Sequence, residues 1–130
     1  MSTNQLSFGF AQQASRSQET ANGLTLKIIN FIKREGWQAE RISVVGRPLT
    51  QKQGGREYII GWVQSHMTVG TADISATIKG HSVKIEVKIG KDRQSNAQIN
   101  YQQDVERAGG IYYIARNFDT FLTWYRQMNF

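Results

Sequence analysis

Asp73, Glu86 and Lys88 are the residues of this sequence whose types and spacing point most directly to chemistry. They frame the stretch Asp73-Ile74-Ser75-Ala76-Thr77-Ile78-Lys79-Gly80-His81-Ser82-Val83-Lys84-Ile85-Glu86-Val87-Lys88. Both halves alternate with the two-residue period of a β-strand. A two-residue turn at Lys79-Gly80 suits the positive φ that a tight hairpin demands. That turn sets Ile74 opposite Ile85, Ala76 opposite Val83, Ser75 opposite Lys84 and Thr77 opposite Ser82, with apolar facing apolar. In the same register Asp73 falls opposite Glu86. Two carboxylates across a sheet, about 5 Å apart at Cβ, repel each other, and Lys88 projects from the same face as Glu86. A cation would relieve the pair. Oxygen ligands, with no cysteine in the chain and no histidine at ligand spacing, select Mg²⁺, with Mn²⁺ able to substitute, over Zn²⁺. A divalent ion beside a lysine is a device for activating water against a phosphodiester. The competing reading is a solvated polar face whose acids turn outward, with Lys88 a surface partner of Glu86.

The rest of the chain supplies elements to hold this hairpin. Its 130 residues, 39% hydrophobic and 20% charged, suit one packed domain, expected over residues 17–130 behind a loose polar segment at 1–16. Leu24, Ile28, Phe31 and Ile32 predict a helix that Gly36 stops, capped by Ser15 or Ser17, with Asn22-Gly23 separating or kinking its first turn. Arg41 to Val45 alternates as a strand. Residues 46–56 read as a loop, and Tyr58 to Val63 as a second strand. The two hairpin strands follow at 72–78 and 81–89. Ser95 to Ala108 predicts a helix with Ala97, Tyr101, Val105 and Ala108 on one stripe, ended by Gly109-Gly110. Ile111 to Ala115 is a strand. Asn117 caps a last helix whose buried face is Phe118, Phe121, Leu122, Tyr125 and Met128. The order predicts an α/β fold with a central mixed sheet flanked by helices. Trp37, Trp62 and Trp124 each sit in or beside an apolar pattern and are expected in the core.

Gly70-Thr71-Ala72-Asp73 followed by Ile85-Glu86-Val87-Lys88 resembles the signature of PD-(D/E)xK nucleases. Ser95-Asn96-Ala97-Gln98 and Ala108-Gly109-Gly110, in that order, bring the chain closer to the VRR-NUC branch, the virus-type replication-repair nucleases. The similarity runs from about residue 17 to residue 116. Ala72 stands where the family often has proline, and residues 46–63 match no distinctive family pattern. The resemblance implies a restriction-endonuclease-like core and a metal-dependent DNA endonuclease leaving 5′-phosphate and 3′-hydroxyl ends. It implies Asp73, Glu86 and the Val87 carbonyl as metal ligands, with Lys88 orienting or deprotonating the attacking water. Gln98 would hold that water or the scissile phosphate. Glu19 matches an acid that touches the metal or a second ion, and reads equally well as a favourable acid in a helix first turn. Branched DNA such as a four-way junction is an expected substrate, with DNA repair among the settings open to it alongside replication, genome processing and defence. Its two-fold symmetry leads to the expectation of a homodimer.

The charge agrees with such a partner. Sixteen basic residues against ten acidic ones give a net +6, which favours polyanions. Lys79, Lys84, Lys88, Lys91 and Arg93 crowd the candidate site; Arg47, Lys52 and Arg56 lie in the expected loop, and Arg116 follows a strand. Lys84, Lys91, Arg93, Arg47, Lys52, Arg56 and Arg116 are expected to contact backbone phosphates without reading sequence. His66 and His81 are expected to be solvated or packed, and no nucleophile elbow or phosphate loop is present, so no nucleotide cofactor is expected. No apolar run reaches membrane-span length and residues 1–5 lack signal-peptide character, so a cytoplasmic protein of a bacterial or phage-infected cell is expected. A non-catalytic DNA-binding module of the same fold is the alternative reading.

Overall fold

The computed structural model describes residues 19–42, 47–63 and 68–130. Their elements are α1 (Ala21–Arg34), β1 (Gln38–Arg41), β2 (Arg47–Gln53), β3 (Arg56–Val63), β4 (Ile74–Ile78), β5 (His81–Val87), α2 (Asn96–Arg107), β6 (Ile111–Ala115) and α3 (Phe118–Met128). Four strands form a mixed sheet in the order β1-β4-β5-β6. β1 pairs antiparallel with β4 and β4 with β5, and β6 lies parallel to β5 after the α2 crossover. The fold is therefore α/β, with helices on both faces of the sheet.

The β4–β5 hairpin forms in the predicted register: Ile74 pairs with Ile85, Ser75 with Lys84, Ala76 with Val83 and Thr77 with Ser82. Lys79 and Gly80 both have positive φ, 47° and 83°, as a tight turn between twisted strands requires. The register gives the sheet two unlike faces. Ile74, Ile78, Val83 and Ile85 are wholly buried on one of them. They pack with Leu24, Ile28 and Ile32 of α1 and with Phe121 of α3. Phe31 meets Phe118, Phe121 and Tyr125 edge-on, with ring centroids 5.0–6.0 Å apart, a favoured aromatic geometry. The other face carries Ser75, Lys84, Glu86 and Tyr112 and receives α2, none of whose residues is fully buried.

Several expectations need correction. Thr20, not Ser15 or Ser17, caps α1; its Oγ1 accepts the Gly23 N–H at 3.0 Å. Ser15, Ser17 and the segment 1–16 lie outside the described residues. Asn22-Gly23 continues α1 without a break, because first-turn N–H groups lack intrahelical partners in any helix and the cap satisfies that of Gly23. The first strand is Gln38–Arg41, where only Ala39 reaches the core; residues 43–46 fall outside the description. The expected loop at 46–56 is instead β2 and the Gly54-Gly55 turn of a β2–β3 ribbon. Among the ribbon residues whose burial is described none joins the core, and Trp62 is 64% exposed, not a core residue. Trp37 and Trp124 are half-buried: the Trp37 Nε1–H donates to Tyr125 Oη at 3.0 Å, and Trp124 stacks on Tyr113 at 4.3 Å. Ala108 and Met128 lie exposed where α2 and α3 end. No helix among the described residues is long and apolar enough to cross a membrane.

Phe121 is wholly buried where α1, α3 and the sheet meet. Phe121→Ala should lower the unfolding free energy by about 3–5 kcal/mol. Met128→Ala should stay within about 0.5 kcal/mol. Urea unfolding of the two variants reads the contrast.

Candidate active site

Asp73 sits one residue before β4 and is pinned from both sides. Its carbonyl accepts the Ile42 N–H at 2.8 Å, and its Oδ2 accepts the Val87 N–H at 2.8 Å. The first bond extends the β1–β4 pairing, and the second ties the carboxylate to β5. Glu86 lies on β5, on the sheet's polar face, and is only 3% exposed. Lys88 follows on the same face; its backbone N–H bonds Ala115 O at 3.0 Å, and its Nζ stands 3.6 Å from Glu86 Oε1.

Gln98 arrives from α2 by a local device. Ser95 caps the helix and forms a capping box with Gln98. The Gln98 N–H donates to Ser95 Oγ at 3.2 Å, and Gln98 Oε1 accepts the Ser95 N–H at 2.9 Å. With its oxygen committed to the cap, the amide presents Nε2 to Glu86 Oε1, where it donates at 3.0 Å. Gly70 brings α2 into range. It has φ +83°, and a Cβ built on it would lie 2.5 Å from the Ala97 carbonyl carbon and oxygen and 2.8 Å from Gln98 N. The loop leading to Asp73 thus rests directly on the backbone that carries Gln98.

The electrostatics are unfavourable as they stand. Burial pushes the Glu86 carboxyl up to about 7, Asp73 adds repulsion and a shared hydrogen bond in the same direction, and Lys88 opposes them in part. Glu86 Oε2 is buried with no hydrogen-bond partner, as is Thr71 Oγ1. An orphaned carboxylate oxygen next to a second carboxylate suits a hard divalent cation, which would supply the missing contact and favour the charged form. Among the described residues no third His, Cys, Asp or Glu joins Asp73 and Glu86. Glu19 instead pairs with Lys27 Nζ at 3.0 Å and precedes the α1 cap rather than lying in its first turn. The structure therefore brings Asp73, Glu86, the Val87 backbone, Lys88 and Gln98 together, and leaves Glu19 outside the acidic group.

Of the expected phosphate contacts, Lys84 shares the face of Glu86 and donates to Ser75 Oγ at 2.6 Å. Lys91 and Arg93 are exposed on the loop before α2. Exposed Arg116 braces that loop, its NH1 donating to the carbonyls of Gly90 (3.4 Å) and Asp92 (3.2 Å). Arg47, Lys52 and Arg56 lie on the β2–β3 ribbon, with Glu57 directly across from Lys52. His81 is exposed opposite Ile78; His66 lies outside the described residues. Sequence reasoning missed Tyr112, which stands across from Lys84. Its Oη accepts from Gln94 Nε2 at 3.3 Å, and that amide also donates to Gln102 Oε1 at 2.9 Å. Burial pushes the Tyr112 hydroxyl up to about 12, and the charges of Glu86 and Asp73 add to the effect, which places this tyrosine within the field of the site. Strand alternation in β6 was the signal that could have found it. Tyr101 is half-buried and meets Tyr112 edge-on at 6.3 Å.

Two predictions follow from this geometry. Folded Glu86 keeps its proton up to about pH 7, whereas the ordinary value is 4.5. The associated stability is complete below pH 4.5 and is lost as pH rises through 7. In a chelating buffer Glu86→Gln should match wild type below that window and exceed its stability by about 3 kcal/mol above it; urea titrations at the two ends read the difference. Gly70→Ala meets both a positive φ and backbone atoms it cannot displace. It should lose about 2 kcal/mol or more and release Gln98 from Glu86, visible as a shifted Gln98 side-chain amide resonance.

The chain matches no known protein-family profile, and it matches no curated protein.

Proposed function

We propose that the chain is a divalent-metal-dependent DNA endonuclease with a PD-(D/E)xK core of the VRR-NUC type. One observation carries the reading: Glu86, buried beside the half-buried Asp73, has its Oε2 without a partner while Lys88 and Gln98 converge on Oε1. An ordinary solvated face would place its acids in water, where they avoid each other, and Glu86 is not in water. The resemblance of Gly70 to Asp73, Glu86 to Lys88, Ser95 to Gln98 and Ala108 to Gly110 to that family supports the same reading.

Asp73, Glu86 and the Val87 carbonyl would hold Mg²⁺ or Mn²⁺. When bound, the ion supplies Lewis-acid stabilisation of charge on the phosphate oxygens and a more acidic water. The protein's own part is orientation and charge. Asp73 is fixed by two backbone bonds, so its free oxygen has a defined direction. Gln98 fixes the Glu86 carboxylate through an amide that the helix cap has already oriented. Lys88 brings an ammonium to the attacking side, where it holds the water for in-line displacement and offsets charge building on the phosphate. Lys84, Lys91, Arg93 and Arg116 hold flanking phosphates, which gives affinity without sequence reading. The substrate class proposed is branched DNA, four-way junctions included, cut to 5′-phosphate and 3′-hydroxyl ends.

The test is a panel of single-stranded, duplex, flap and junction DNAs incubated with Mg²⁺, Mn²⁺ or chelator. Wild type should cut at least one form in Mg²⁺ or Mn²⁺ and none in chelator. Asp73→Asn, Glu86→Gln and Lys88→Met should each lower the single-turnover rate by about 10²-fold or more while still binding DNA. Wild type that binds DNA but cuts none of these forms with either metal would leave the non-catalytic module of the same fold as the better reading.

A further inference from the structure

α1 turns toward solvent a stripe that neither the core nor the acidic site uses. Its buried side is Leu24, Thr25, Ile28, Ile29 and Ile32. Lys27, Asn30, Lys33 and Arg34 are exposed and line an open groove of about 520 Å³. The helix contains no acidic residue. A solvated helix face commonly mixes charges of both signs, and this one carries a single sign. The helix dipole favours Lys33 and Arg34, which stand in the last turn. It gives no reason for Lys27, nearly two turns earlier. Lys27 holds Glu19 at 3.0 Å, whereas among the described residues Lys33 and Arg34 form no ion pair. Glu40 lies across from Ser75, on the opposite face of the sheet.

The stripe begins beside the acidic pair. Exposed Arg41 ends β1, an edge strand, and pairs with Ile74. Its NH2 donates to Asn22 Oδ1 in the first turn of α1 at 2.6 Å. The next residue, Ile42, donates its N–H to the Asp73 carbonyl at 2.8 Å. The first turn of α1 therefore stands at the end of the sheet that holds Asp73, and the helix runs away from it toward Arg34. Arg41, Lys27, Asn30, Lys33 and Arg34 make a path from the site, over the β1 edge and onto the far side of the sheet. From Lys27 to Arg34 the helix rises about 10 Å, over which one strand of a duplex carries about three phosphates. A row of cations continuous with the site fits a polymer of regularly spaced anions that occupies both.

We infer that DNA leaving the candidate site crosses the β1 edge and lays its phosphate backbone along Lys27, Asn30, Lys33 and Arg34 of α1. The inference rests on the proposed reading of DNA as the partner, and it holds alike for a nuclease and for a non-catalytic module. None of the phosphate contacts expected from the sequence lies on α1, so this helix adds a second track on the other side of the sheet. A branched substrate has separate arms with which to fill both tracks.

Fluorescence anisotropy of a labelled four-way junction, in chelator so that nothing is cut, tests the inference across a salt series. The logarithm of the wild-type affinity should fall linearly with the logarithm of salt concentration. Lys33→Gln/Arg34→Gln should reduce that slope by about 2 and weaken binding about 10-fold or more at about 0.1 M salt. Arg107→Gln/Arg126→Gln removes the same charge from the last turns of α2 and α3 and should change the slope far less. All four residues are exposed, so both variants should unfold close to the wild-type temperature. Equal losses in the two variants overturn the inference, because the overall field of the protein would then account for them. An unchanged slope in Lys33→Gln/Arg34→Gln overturns it too. A wild type that binds no junction at low salt removes DNA as the partner and the inference with it. Binding that depends on Lys33 and Arg34, without cutting in Mg²⁺ or Mn²⁺, supports the inference and removes the nuclease reading alone.

Discussion

Two carboxylates held face to face, one of them out of water, constrain everything around them. Left free, Asp73 and Glu86 would separate by rotation or by fraying of the strand ends. The fold denies both routes. Asp73 is held by a backbone bond from Ile42 on one side and gives its own Oδ2 to Val87 on the other. Glu86 cannot retreat into solvent, because it is buried between the sheet and the first turn of α2. Burial first, and the neighbouring Asp73 second, raise the proton affinity of Glu86, and the fold does not relieve either by motion. Lys88 stands 3.6 Å away, long for a charge-assisted hydrogen bond, and returns only part of what burial removes.

The device that aims Gln98 belongs to helix termination as much as to the site. First-turn N–H groups need acceptors, and Gln98 supplies one to Ser95 with its carbonyl oxygen. An amide has two ends, so committing the oxygen commits the nitrogen. The same close approach that lets Nε2 reach Glu86 requires Gly70, since any Cβ there would enter the backbone of Ala97. Stability of the helix start, packing of the loop and orientation of the amide are thus one arrangement, and none can be altered alone.

This coupling explains what the sequence revealed. The β4–β5 register was legible because two strict alternations flank a turn dipeptide that admits one pairing, and Asp73 facing Glu86 followed from it. The helix α2 was legible from the stripe Ala97, Tyr101 and Val105 with Gly109-Gly110 as its stop, and Ser95 with Gln98 three residues on came through the family resemblance. The ribbon was not legible. Thr50-Gln51-Lys52-Gln53 lacks apolar alternation because no core lies beneath it, and Pro48 with Gly54-Gly55 imitates a loop. Trp62 misled for the same reason: an apolar pattern signals burial but does not say against what. Tyr112 was hidden inside a run of five strand residues whose inner and outer members are both large. Glu19 could be read as a ligand or as a helix acid, and the structure gives it to Lys27.

The two sheet faces differ in how fully helices cover them. α1 and α3 lie on the apolar face and bury Leu24, Ile28, Ile32 and Phe121 completely. α2 contacts β6 on the polar face and buries no residue fully. A helix so placed covers the β5–β6 half and leaves the β1–β4 half open, where Gln38, Glu40 and Thr77 are exposed. Lys84 and Glu86 stand at the boundary between the covered and open halves, with Tyr112 under the helix and Ser75 toward the open side. A carboxylate pair there is shielded enough to have a perturbed charge, yet adjoins a surface broad enough for a polymer. Closing α2 over β4 would bury the pair beyond reach, and removing it would return Glu86 to water and to ordinary acidity. Half-cover is the arrangement that keeps Glu86 perturbed while Asp73 stays in partial contact with solvent.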